Sequence, residues 1–63
     1  MIVMFQWEDG PVEYVTLDQA ATKAGISERW LNQELRRKFV YRKRLFTIYT
    51  RGGAKAEGKG WKP

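Results

Sequence analysis

The chain has 63 residues, with three each of Trp, Tyr and Phe and neither Cys nor His, so it has room for one thinly cored domain. The missing Cys and His exclude a disulfide framework, the usual zinc ligands and the usual nucleophile–base pairs; no cofactor is expected. The net charge of +5 is unevenly spread: residues 1–28 carry five acids against Lys23 (net −4), and residues 29–63 carry eleven Lys and Arg against Glu34 and Glu57 (net +9).

Ile2–Trp7 is β-branched and aromatic, and Glu8-Asp9-Gly10-Pro11 is a dense turn signal before Val12–Val15. An N-terminal hairpin is expected, the alternative being one strand and a loop if Pro11 ends the pairing. Thr16-Leu17-Asp18-Gln19 reads as a capping box that opens a helix. Leu17, Ala20, Ala21 and Ala24 then share one narrow face whose small side chains admit a close neighbour, and Gly25 is a C′ residue free to adopt positive φ. Ser27 is the N-cap of a second helix, with Glu28 complementing its positive end.

On a helical wheel Leu31, Leu35 and Phe39 share the inner side of that second helix, with Arg29, Gln33, Arg36 and Arg37 opposite. The helix is expected to end near Lys38. Phe39–Thr50 favours strand by composition, and Arg42-Lys43-Arg44 is a candidate hairpin tip, although it lacks the Asn, Asp or Gly that tight turns prefer. Residues 52–63 hold four of the six glycines and no apolar period. They are expected to form a flexible basic tail behind a folded domain spanning 1–51.

Cations confined to one part of a domain suit a polyanionic partner, and between Arg29 and Arg51 arginine outnumbers lysine, which favours bidentate phosphate contacts. Ala21, Gly25, Ile26 and Leu31 stand at the small, turn and apolar positions of the helix-turn-helix pattern. That pattern also expects an apolar residue three beyond Leu31, where this chain has Glu34, with Leu35 as the substitute.

With its leading strand and basic segment, Tyr14 through Thr50 resembles the small winged-helix DNA-binding proteins of the MerR-like and phage excisionase type. The resemblance implies an α+β fold, a small winged helix-turn-helix with an N-terminal β-hairpin and a C-terminal strand or hairpin. It also implies a partner, duplex DNA, bound by a phage or mobile-element regulator or excisionase-like factor. The second helix would enter the major groove and offer Ser27, Arg29, Asn32, Gln33 and Arg36 to base edges. Arg37, Lys38, Arg42, Lys43 and Arg44 would contact phosphates from the helix end and wing. Side-by-side binding or dimerisation, a recombinase or a host protein are further expected partners.

Other readings stay open at this level. The same size and composition suit a protein-binding module, such as a phage-encoded inhibitor of a host enzyme docking through a strand edge. An RNA- or single-strand-binding protein would instead stack Tyr41, Phe46 and Tyr49 on bases, unless those residues form the core side of a sheet. Trp30 lies at the flank of the second helix, where it either packs on the wing or N-terminal hairpin or stays exposed for binding. No enzymatic activity is expected, because the N-terminal carboxylates sit at turn and cap positions and no phosphate-cradling glycine loop is present. No apolar run approaches the ~20 residues that span a bilayer, and Met1–Phe5 is too short and unflanked for a signal peptide, so a cytoplasmic protein with no membrane partner is expected.

Overall fold

A computed structural model describes residues 1–62. The apolar, β-branched run Ile2–Trp7 (β1) occupies the interior of a four-stranded antiparallel sheet in the order β2-β1-β4-β3, where β2 is Val12–Thr16, β3 Val40–Arg42 and β4 Phe46–Tyr49. The N-terminal hairpin forms as expected, with Val3 opposite Val15 and Phe5 opposite Glu13, and β1 also pairs Phe5 with Ile48. Pro11 lies ahead of the pairing, so its missing N–H costs the ladder nothing.

Strand side chains alternate between faces, and both faces of this sheet are covered. Val3, Phe5, Val15, Tyr41 and Ile48 pack against α1 (Leu17–Ala24) and α2 (Glu28–Lys38), which contribute Leu17, Ala20, Ala21, Leu31 and Leu35. On the opposite face Met4 and Tyr49 meet Ala54 of α3 (Arg51–Ala56), with Tyr14, Val40 and Trp61 around them. Trp7 closes the first core at the sheet's end. Its ring lies 4.8 Å from Phe5 and its indole N–H donates to Glu13 at 2.8 Å.

The local signals around the two main helices are realised. The Thr16–Gln19 capping box is complete, and Gly25 ends α1 at φ 73° while the Ile26 N–H reaches back to the Ala21 carbonyl at 3.1 Å. Ser27 Oγ accepts from the Trp30 N–H at 3.1 Å and starts α2. Ala20 and Ala21 are buried where α1 faces α2 and the sheet. Leu35 is buried, while Glu34 is displaced toward the helix flank.

Three expectations need correction. Phe39 does not join Leu31 and Leu35 in the core: as the C-cap it adopts φ 65°, which swings its side chain out of the helical phase and leaves it 55% exposed. The expected flexible tail is structured over much of its length. Thr50 caps α3 by accepting from the Gly53 N–H, Gly53 and Ala54 are buried, and the chain returns so that Gly60 accepts from the Tyr14 hydroxyl at 3.1 Å and Trp61 stacks edge-on against Tyr14. Pro63, the last residue of that expected tail, lies outside the described residues. The β3–β4 connection is a hairpin whose tip is Lys43-Arg44-Leu45, one residue beyond the expected tip, closed by the Lys43 N–H to the Phe46 carbonyl at 2.8 Å.

Candidate nucleic-acid interface

The inner side of α2 is fixed by Leu31 and Leu35, so helical geometry directs Arg29, Gln33, Arg36 and Arg37 outward, and all four are exposed. Arg29 and Arg36 stand two turns apart, about 10 Å along the axis. Among the described residues no carboxylate pairs with either. Asn32 is half-buried on the flank of α2. Ser27 is exposed but its hydroxyl oxygen is engaged by the cap, which leaves only its O–H to donate elsewhere.

The five expected phosphate-contacting residues do not form one set. Arg37 and Lys38 lie at the C-terminal end of α2, where they also complement the helix dipole, and both approach Glu34, at 3.9 and 3.7 Å. Such exposed, long pairs contribute little and can exchange for a phosphate. Lys43 and Arg44 sit at the hairpin tip, with the Lys43 ammonium 5.3 Å from the Tyr41 ring on the same side of the sheet as α2. Arg42 is different: alternation along β3 turns it to the side of α3, where it ion-pairs with Glu57.

The aromatic residues divide in a way the composition did not reveal. Tyr41 and Tyr49 are buried on opposite faces of the sheet, so neither offers a free face to a base, and Phe46 is half-buried with one ring face stacked on Phe5 at 4.9 Å. Trp30 packs edge-on against Tyr41 at 5.3 Å yet remains 43% exposed. With Phe39, Val40 and Ala56 it lines an open groove of about 600 Å³ beside β3, between α2 and α3. Of the acidic N-terminal residues, Glu13 lies in the interior of β2, on the face covered by α1 and α2. There the Trp7 indole and the Lys23 ammonium hold its carboxyl below the ordinary value.

Comparison with protein-family models, curated proteins and solved structures gives no match. The candidate interface therefore rests on its own chemistry. Its cations were visible in sequence, but three features were not: the withdrawal of Arg42, the groove at Trp30 and the ordering of the basic residues in and after α3. A Thr50-x-x-Gly53 cap was the available signal for α3, masked by two glycines that disfavour a helix by propensity. Among the described residues no helix is long and apolar enough to cross a membrane.

Proposed function

We propose that this protein binds duplex DNA as a small winged helix-turn-helix module, with α2 in the major groove and the β3–β4 hairpin as a wing on neighbouring phosphates. The observation that carries this reading is the outer face of α2: Arg29, Gln33 and Arg36 project together, without an acidic partner among the described residues, from a helix whose inner side is locked in the core. Arginine can engage guanine O6 and N7 together and glutamine adenine N6 and N7, so this face can discriminate base pairs. Arg37, Lys38, Lys43 and Arg44 flank it and supply the positioning contacts. A regulatory or excisionase-like role on phage or mobile-element DNA is the setting the sequence resemblance implies.

Fluorescence anisotropy with a duplex, a single strand and an RNA of the same length tests this reading. Four phosphate contacts give a slope of about −3.6 in log affinity against log salt, or roughly a 100-fold loss between about 50 and 200 mM. Salt-independent binding, or single-strand binding as tight as duplex binding, refutes it. Burial of Tyr41 and Tyr49 already argues against a base-stacking platform on the strands. The groove at Trp30 and Phe39 favours docking on a protein as the second reading; capture of a protein from nuclease-treated extract, without duplex affinity, would support that reading instead.

A further inference from the structure

The cations in and after α3 take no part in the interface described above. Residues 51–62 carry Arg51, Lys55, Lys59 and Lys62 against Glu57, and Glu57 is taken by Arg42. Among the described residues, no carboxylate pairs with any of those four cations. All four are exposed.

Their placement is ordered. Gly53 and Ala54 face the sheet, so helical spacing turns Arg51 and Lys55 to the outer side of α3. Lys59 lies 6.0 Å from the Tyr49 ring on the same face of the sheet. Lys62 follows Trp61, and its N–H donates to the Tyr14 hydroxyl at 3.3 Å. Local stability does not explain Arg51: it occupies the first turn of α3, where a cation opposes the helix dipole and where no acid is present. α1 and α2 cover one face of the sheet and α3 the other, and α3 meets the C-terminal end of α2 where Gly53 abuts Phe39.

From this charge and placement we infer that the outer side of α3 and the chain after it form a second polyanion-binding surface, occupied by a second duplex segment, so that one molecule bridges two DNA segments. The inference rests on the proposal that α2 and the hairpin bind the first. The second surface has no reading set: it lacks outward Asn or Gln, and its Arg51 and lysines suit phosphates. Bridging is therefore sequence-independent on this side and reads the DNA only on the other. Two surfaces of like charge on opposite faces also explain why the positive residues are not gathered into one patch.

The test immobilises one duplex on beads and measures capture of a second, fluorescent duplex by the full-length protein. The comparison is with a variant carrying Arg51→Gln, Lys55→Gln, Lys59→Gln and Lys62→Gln, whose fold is checked by circular dichroism. Wild-type protein is expected to capture the second duplex. The variant should lose capture by tenfold or more, since four phosphate contacts account for a large factor in affinity, while its affinity for a single duplex in solution changes by less than about threefold. Single-duplex binding without capture overturns the bridging inference and leaves the α2 proposal standing. Capture unchanged in the variant overturns it as well. A parallel fall in single-duplex affinity, with a shallower salt slope, assigns these cations to the first footprint and also overturns it. Absence of any duplex binding overturns both.

Discussion

Replacing Gly53 by alanine tests how α3 is held. A Cβ on Gly53 would lie 2.0 Å from the Phe39 carbonyl oxygen and 2.8 Å from its carbon, with Val40 Cγ2 at 3.1 Å. That carbonyl cannot yield cheaply, because it accepts from the Thr50 N–H at 3.0 Å and from the Thr50 hydroxyl at 3.2 Å, and Thr50 is the cap of α3. Overpacking costs about 1–3 kcal/mol and each disrupted hydrogen bond about 1 kcal/mol. The better helix propensity of alanine returns about 1 kcal/mol. The net loss is about 2–4 kcal/mol, which in a domain of this size lowers the melting temperature by roughly 10–30 °C.

Gly52→Ala is the control, since its added Cβ meets nothing closer than Phe39 Cδ1 at 3.9 Å and should leave stability unchanged or raise it by up to about 1 kcal/mol. Thermal melts followed by circular dichroism compare the two. Equal melting of Gly53→Ala and wild type, or equal loss in both variants, would refute the close approach of α3 to the end of α2.

Glu34→Gln removes the carboxylate that approaches both Arg37 and Lys38 and should raise duplex affinity several-fold at low salt, with a change in stability under about 0.5 kcal/mol; weaker binding would show that Glu34 orders those cations for contact. The Glu13 carboxyl is held below its ordinary 4.5 by the Trp7 indole and Lys23, and Asp18 below its ordinary 3.8 by the Thr16 hydroxyl. Both pKa values are depressed in the fold, so their stabilisation is complete above the unfolded values and is lost as pH falls through the folded ones. Urea midpoints should therefore hold from pH 7 to about 5.5 and decline below about 4, and Glu13→Gln should flatten part of that decline; an undiminished decline in that variant removes Glu13 from the account.

The parts of this fold legible in sequence are those decided within a few residues. The Thr16 and Ser27 caps, the Gly25 turn and the alternation of β1 depend on neighbouring side chains and backbone, and they appear where the residues place them. Phe39 sits at the right spacing for the core, but wheel geometry lapses at a C-cap in the left-handed region. The third helix was invisible because Gly52-Gly53 disfavours it locally. Only the approach of its backbone to Phe39, and the burial of Ala54 against Met4 and Tyr49, make a glycine there the fitting residue. The exposed face of α2 followed from its apolar positions. The loss of Arg42 from that side did not, since it depends on where β3 begins and on Glu57 fifteen positions further on.

The central claim is that α2 reads bases while the hairpin tip holds phosphates. The most direct measurement compares Arg29→Ala/Gln33→Ala with Lys43→Ala/Arg44→Ala, first selecting preferred sites from a random duplex pool and then titrating salt on one selected and one random duplex. The first variant should flatten the site preference, losing about 1–3 kcal/mol per contact on the selected duplex and little on the random one. The second should weaken both duplexes alike and reduce the salt slope by about 2. If both variants change preference and slope to the same degree, or neither changes either, α2 is not the reading element and the account fails.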